Sequence, residues 1–93
     1  MIFTVIPLKL IFEYNGEKFH PNPNRLSKIE WDNWKQLVSD LPAEVIYKAQ
    51  QYKIQIAENN GFTVTEIWSL NSFEENWKII VESIENAIKN KTN

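Results

Sequence analysis

The chain has 93 residues, a formal net charge of −2 and no cysteine, so we expect residues 1–93 to form a single small domain without disulfides, thiolate metal sites or thiol catalysis. The slight excess of acidic residues, together with nine lysines and only one arginine, excludes a general electrostatic attraction to nucleic acid. No apolar run reaches the roughly 18–20 residues that span a bilayer, and residues 1–7 lack the basic flank of a signal peptide, so a soluble cytoplasmic protein is expected.

Two short strands separated by a proline are predicted at the N-terminus. Residues 2–6 and 8–14 are rich in Ile, Leu, Phe and Val, and Pro7 between them cannot donate the hydrogen bond that a strand ladder needs. Because side chains alternate between the two faces of a strand, Glu13 and Asn15 should point to the same side at the end of the second strand.

Two helices are predicted after a turn-prone Pro-Asn-Pro-Asn segment. The sequence Ser-Lys-Ile-Glu at 27–30 is typical of a capping box and predicts a helix that continues to about Asp40. Asp40 and Pro42 then predict a second start, with an aspartate N-cap and a proline in the first turn, and this helix should end near Asn60. The residues expected to be buried are Trp34, Leu37 and Val38 on the first helix and Val45, Ala49, Tyr52 and Ile56 on the second.

A third strand and a third helix complete the predicted elements. Residues 62–68 alternate and are rich in β-branched side chains, which favours a strand. The sequence Asn-Ser-Phe-Glu at 71–74 predicts another capped helix start, and that helix should run to about Asn90. The side chains expected in the core are Trp68 on the strand and Phe73, Trp77, Ile80, Val81, Ile84 and Ile88 on the helix.

The predicted element order is therefore β-β-α-α-β-α. This order indicates an α/β domain with a small mixed sheet and helices packed on it. Strands 8–14 and 62–68 are joined by a helical crossover, and such a connection favours parallel neighbours with a right-handed connection.

Residues 13–20 hold the densest group of chemically active side chains. Glu13, Glu17 and His20, the only histidine, fall within eight residues at a strand-to-loop transition. Such a group would hold a hard divalent metal ion or transfer protons. Each residue also has an ordinary interpretation. Glu13 would be a strand-end carboxylate that balances the charge of Lys9, Glu17 would be a solvated carboxylate in a turn, and His20 would be a surface histidine. The residues alone leave both interpretations open.

Three segments carry a resemblance to a known family. They are Ile11–His20 (IFEYNGEKFH), Lys53–Gly61 (KIQIAENNG) and Phe62–Trp68 (FTVTEIW). The region from about residue 8 to residue 70 resembles very-short-patch-repair endonucleases and the related phage and homing-associated nucleases of the PD-(D/E)XK superfamily. The Glu-x-Asn-Gly-Glu-x-x-His pattern is the more specific part, because the Gly-Phe-x-Val-x-x-Ile-Trp pattern mainly reflects packing.

The resemblance implies a minimal restriction-endonuclease-like fold and metal-dependent hydrolysis of DNA phosphodiesters. A homodimer is one form in which an active domain would work. By position, Glu13 matches a Mg²⁺ ligand on the central strand, and Glu17 and His20 match the acidic and histidine positions of the following turn. Bound Mg²⁺ or Mn²⁺ would polarise a phosphate and generate hydroxide. His20, with a reference pKa of about 6.5, would act as an acid or a base.

The sequence departs from the pattern of this family at three places. Residues 1–12 contain no Asp or Glu, although the superfamily takes its other catalytic acid from the preceding strand. Asn15 stands where a Glu-x-Lys motif would have its lysine, and Gln50 stands where these nucleases commonly have a helical aspartate. One metal ligand is therefore missing from its expected place, so either a partner subunit completes the site or the domain is a reduced, inactive relative.

Several polar and aromatic side chains are candidates for contact with DNA or with a protein partner. The helical position of Trp31 leaves two interpretations: an exposed interface anchor, or a side chain partly buried under the loop of Pro21 and Pro23. The complete candidate set is Asn15, Arg25, Trp31, Lys48 and Lys53.

Two further functional classes stand beside the nuclease. In the first, the chain is a catalytically inactive protein that binds and regulates or inhibits a host protein, which the acidic balance and the missing acid favour. In the second, it is a non-catalytic DNA-binding module, whose affinity would fall steeply with added salt. High contents of Asn and Ile suggest an AT-rich coding genome, which is compatible with a phage or mobile-element setting.

Overall fold

The computed structural model describes residues 2–92 and has the element order β-β-α-α-β-α, which confirms the predicted α/β layout. A single 3₁₀ turn at Ile6–Leu8, containing Pro7, separates the first two strands. The strands are β1 (Ile2–Val5), β2 (Leu10–Asn15) and β3 (Thr63–Trp68), and the helices are α1 (Lys28–Asn33), α2 (Ala43–Asn59) and α3 (Phe73–Thr92).

The three strands form one mixed sheet in the order β1-β2-β3. The short 3₁₀ connection, closed by Lys9 in the left-handed conformation (φ 52°), returns the chain antiparallel, so Phe3 pairs with Phe12. The long helical connection makes β2 and β3 parallel, as predicted, with Glu13 beside Glu66. The central strand is therefore β2.

The main hydrophobic core lies between one face of the sheet and α3. Leu10, Phe12 and Ile67 are buried there and pack against Ile80 and Ile84 of the helix. These strand residues alternate with those of the other face, as the period of two requires. This packing holds β2 and β3 in a fixed register and so positions the polar side chains on the opposite face.

The opposite face of the sheet is covered by α2 and is more polar. On the helix, Ala43 and Gln50 are buried. On the sheet, Glu66 and Trp68 share a small enclosed space with the helix residue Gln50. Trp68 is 9% exposed, which confirms its predicted place in the core.

The first helix is much shorter than predicted, because the turn at 16–20 binds the segment that follows it. The helix ends at Asn33, and Trp34 is already extended, with φ −70° and ψ 136°. Trp34 Nε1 donates to the carbonyl of Glu17 and the Leu37 N–H donates to the carbonyl of Lys18. The Leu37 bond takes the place of a helical backbone bond, and the Trp34 bond holds the segment after the helix against the turn. Leu37 and Val38 consequently lie exposed rather than on a buried helix face.

The start and the buried face of α2 also differ from the prediction. Pro42 occupies the N-cap position, whereas Asp40 has φ 61° and lies in the preceding turn. The packed face contains Ala43 and Gln50 at helical spacing. The side chains predicted to be buried, Val45, Ala49, Tyr52 and Ile56, are exposed. The prediction failed because α2 carries apolar residues on two sides, and the side with Ile46, Ile54 and Ala57 is the less exposed one.

Of the α3 side chains that were predicted to lie in the core, only those in the middle of the helix pack on the sheet. Ile80 and Ile84 pack on the core, but Phe73 is 81% exposed, Trp77 58% and Ile88 49%. A helix of 20 residues is about 30 Å long, whereas a six-residue strand spans about 20 Å. The sheet is therefore too short to cover both ends of the helix. None of the helices in residues 2–92 is long and apolar enough to cross a membrane.

Candidate functional site

A polar cluster lies on the α2 side of the sheet, near the carboxyl ends of the two parallel strands. Glu13 and Glu66 are direct neighbours in the parallel register, and we call them the carboxylate pair. Asn15, two residues beyond Glu13 on the same face, is completely buried. Its Nδ2 donates to Glu66 Oε2 over 3.3 Å. The cluster therefore joins the ends of β2 and β3.

The two carboxylates of the pair affect each other. Burial raises the pKa of Glu66 above its ordinary value of 4.5, and the negative charge of Glu13 raises it further, while a hydrogen bond with the Gln51 side chain opposes these effects. Two partly desolvated carboxylates side by side repel each other. A bound cation would relieve that repulsion.

His20 reaches the same cluster from the turn after β2. Its backbone N–H donates to the carbonyl of Gly16 over 2.9 Å, which closes the turn. Burial lowers the pKa of the His20 imidazole below 6.5, Glu13 opposes this shift, and Lys53 reinforces it. The imidazole is therefore neutral at pH 7. Its Nδ1 atom is buried without a hydrogen-bond partner, so it has an unused polar atom.

Glu17 has a different set of contacts. Its carboxylate accepts hydrogen bonds from the backbone N–H of Leu70 at 3.2 and 3.0 Å, and from the Ser69 hydroxyl at 3.4 Å. These bonds fix the turn at 16–20 to the connection between β3 and α3. In this arrangement the Glu17 carboxylate is used for structure.

The oxygen atoms of the cluster decide which metal ions it could hold. Among residues 2–92, no group of three or more His, Asp and Glu side chains is arranged to hold a metal ion. The carboxylate pair offers two acidic ligands, and the buried Oδ1 of Asn15 is an acceptor without a donor. Mg²⁺ is commonly held by one or two carboxylates, with water and substrate phosphates as its other ligands. The donor set therefore fits a hard cation that is shared with a substrate.

Gln50 brings an amide to the position where the resemblance places an aspartate. Its side chain is 7% exposed, and its Nε2 is buried without a hydrogen-bond partner. It shares a cavity of about 10 Å³ with His20 and Glu66. A cavity of this size is close to the lower limit for one water molecule.

The remaining candidate contact residues divide between the cluster and the outer surface. Lys53 acts electrostatically on His20, so it belongs with the cluster. Lys48 instead pairs with Glu44 over 3.6 Å, and Arg25 donates to the carbonyl of Leu70 over 3.2 Å.

Trp31 is half-buried, and the structure favours its structural interpretation. Its ring lies edge-to-face with that of Tyr47, with centroids 5.4 Å apart. Its Nε1 donates to Glu44 over 3.2 Å. The side chain also lines an open groove whose walls include Pro23.

The sequence interpretation missed Glu66 and Gln51. Glu66 is an acidic residue in the middle of a β-branched strand, which is a weak signal. Glu66 belongs to the polar cluster because it lies beside Glu13, and only the register of the sheet reveals that position.

Comparison of the chain with protein-family models, with curated proteins and with solved structures finds no match.

Proposed function

We propose that this chain is a reduced nuclease domain that hydrolyses DNA phosphodiesters with a divalent cation. The carboxylate pair carries the proposal: Glu13 and Glu66 lie side by side at the ends of parallel strands, next to the unpaired amide oxygen of Asn15. The resemblance to very-short-patch-repair endonucleases supports the same chemistry. In this proposal Glu66 replaces the acid that is absent from residues 1–12.

Glu13 and Glu66 would hold Mg²⁺ or Mn²⁺, with Asn15 Oδ1 as a neutral oxygen ligand. The metal ion, when bound, supplies Lewis acidity to a phosphate oxygen and lowers the pKa of bound water. Its positive charge would also favour the ionised form of Glu66, whose pKa is raised by burial and by Glu13.

His20 and Lys53 would assist from the side of the turn and of α2. Because burial keeps the His20 imidazole neutral at pH 7, it can accept a proton from an attacking water. The Lys53 ammonium, close enough to influence His20, would attract the phosphate backbone of DNA.

A plasmid-cleavage assay tests this proposal. Wild-type protein should relax or linearise supercoiled DNA with Mn²⁺ or Mg²⁺ and should lose this activity with a chelator. Glu13→Gln and Glu66→Gln should each reduce the rate by on the order of a hundredfold, as expected when an electrostatic contribution to the transition state is removed.

Glu58→Gln is the matched control, because Glu58 is an exposed carboxylate near the end of α2. It should retain the wild-type rate. Cleavage that survives both Glu13→Gln and Glu66→Gln, or that needs no metal ion, would refute the proposal.

A second candidate function is binding and regulation of a host protein without catalysis. It is favoured by the exposed apolar side of α2, where Val45 is 48% exposed, Tyr52 69% and Ile56 47%. These side chains follow the spacing of one helix face, and such a stripe on the surface marks a contact area.

Affinity purification from the natural host tests this alternative. A stoichiometric host protein should co-purify with the wild type and be lost with Tyr52→Glu. Lys35→Glu, at an exposed position outside α2, should retain it. If Tyr52→Glu leaves the complex intact, α2 is not the contact surface.

A further inference from the structure

The strand β1 lies at one edge of the sheet and lacks the usual protection of edge strands. It pairs with β2 on one side only, and its sequence Ile-Phe-Thr-Val contains no charge and no proline. Its side chains Ile2 and Phe3 are 62% and 55% exposed. The other edge strand, β3, carries Glu66. Uncharged, apolar edges pair readily with another strand.

An apolar groove lies directly beside this edge, on the α3 side of the sheet. Its volume is about 370 Å³, and Ile67 and Ile80 form part of its lining. Four aromatic side chains complete the apolar lining, with exposed fractions of 55% for Phe3, 41% for Tyr14, 81% for Phe73 and 58% for Trp77. The rings of Phe73 and Trp77 stack, with centroids 6.4 Å apart and planes within 8°.

We propose that the edge of β1 and this groove form the interface with a second copy of the same chain. Antiparallel pairing of two β1 strands is isologous, because each strand presents the same edge to the other. The absence of charge on β1 lets two copies meet without repulsion. Because Phe3 pairs with Phe12 in the sheet, it lies on the α3 side. The Phe3 side chains of the two copies would therefore lie on the same side of the joined sheet, near the two-fold axis.

The available area suits such a dimer. An aromatic side chain buries about 150–250 Å², so the exposed parts of the four rings amount to roughly 350–600 Å² per protomer. A standard interface covers about 800 Å² on each partner. The backbone edge of β1 and the exposed side chain of Ile2 would supply much of the difference.

The dimer would have a definite geometry. A two-fold axis through paired β1 strands is perpendicular to the sheet, so both carboxylate pairs would face the same side of a six-stranded sheet. Three strand spacings would separate the two β2 strands by roughly 14 Å. This arrangement does not depend on the hydrolytic activity, and its test needs neither metal nor DNA.

Light scattering after size exclusion, or sedimentation over a range of concentrations, measures the oligomeric state. Wild-type protein should form dimers. Phe3→Lys should raise the dissociation constant by on the order of a hundredfold, because the new charge enters the interface from both protomers. Ile29→Lys is the control, since Ile29 is exposed on α1, outside the proposed interface, and this variant should remain dimeric.

Circular dichroism checks that each variant is folded. If Phe3→Lys unfolds, Trp77→Lys decides, because Trp77 is largely exposed on the helix and should also give a folded monomer. The proposal is overturned if the wild type is monomeric at every concentration, including the case in which only a different protein occupies this face. It is also overturned if folded Phe3→Lys or Trp77→Lys dimerises like the wild type, or if Ile29→Lys abolishes the dimer.

Discussion

At the scale of single residues, the polar cluster reduces the stability of the folded state. Glu66 is placed beside Glu13, and both burial and that neighbouring charge raise the Glu66 pKa. The buried Asn15 Oδ1 and His20 Nδ1 lack hydrogen-bond partners, and such atoms reduce stability. Residues with shifted pKa values, and buried polar atoms without partners, often mark functional sites.

Replacing Glu66 by Gln should stabilise the protein at neutral pH. Because the folded-state pKa of Glu66 is raised above 4.5, the folded state holds more protons than the unfolded state between 4.5 and the raised value. Stability due to this group therefore falls as pH rises through that window. We expect Glu66→Gln to melt a few degrees above the wild type at pH 7, with the difference vanishing below pH 4.5.

Thermal unfolding without divalent cations, measured from acidic to neutral pH, tests this expectation. His20 contributes in the opposite direction, because its lowered pKa makes the unfolded state bind more protons below pH 6.5. Comparison of variant and wild type at each pH cancels that contribution. A lower melting temperature for Glu66→Gln at pH 7 would contradict the expectation.

At the scale of elements, the turn at 16–20 organises segments that are distant in sequence. Its carbonyl groups accept hydrogen bonds from Trp34 and Leu37, which end the first helix early. Its Glu17 carboxylate binds the backbone of Leu70. One short turn therefore holds the segment after α1 and the start of the connection to α3.

Glu17→Ala should reduce stability without removing catalytic chemistry. Hydrogen bonds to a charged group contribute about 1.5–3 kcal/mol, and the exposed position of these bonds reduces this to roughly 1–2 kcal/mol. Urea unfolding measures the loss, with Lys18→Ala, at an exposed neighbouring position, as the control. DNA cleavage per folded molecule should match the wild type. Abolished cleavage in folded Glu17→Ala would instead support a metal-ligand role.

The elements show which parts of the fold could be predicted from sequence. The parallel pairing of β2 and β3 followed from the long crossover, and the Ser27–Glu30 capping box is present with both hydrogen bonds. The capping box depends on neighbouring residues, and the parallel pairing depends on the length and helical content of the connection. The end of α1 could not be predicted, because the competing hydrogen bonds come from residues far away in the chain. The buried face of α2 could not be predicted, because both sides of the helix carry apolar residues.

At the scale of the whole molecule, the buried core is small for the number of apolar side chains. Only Leu10, Phe12, Ala43, Ile67 and Trp68 are buried hydrophobic residues within the described chain. Many large apolar side chains remain on the surface, among them Phe3, Phe73 and Trp77. A domain of this size is marginally stable by itself, and burial of such a surface by association would add stability.

The melting temperature should therefore depend on protein concentration. Association that occurs only in the folded state stabilises it by mass action, so the melting temperature of the wild type should rise as concentration increases. Phe3→Lys, with its interface disrupted, should melt at a temperature independent of concentration. Scanning calorimetry or fluorescence over a dilution series measures both proteins. A concentration-independent wild type would argue against stabilisation by association.

The order of the elements, and the position of Glu13, Asn15 and His20 around the end of the central strand, could be predicted from the amino-acid sequence. Strand alternation and capping residues act over a few residues, and the helical content of the crossover is visible in its own sequence, so these features are predictable without tertiary information. Tertiary structure alone decided that Glu66 joins Glu13 while Glu17 binds the backbone of Leu70. Sheet register and long-range hydrogen bonds depend on the packing of the whole chain, and no local pattern in the sequence specifies them.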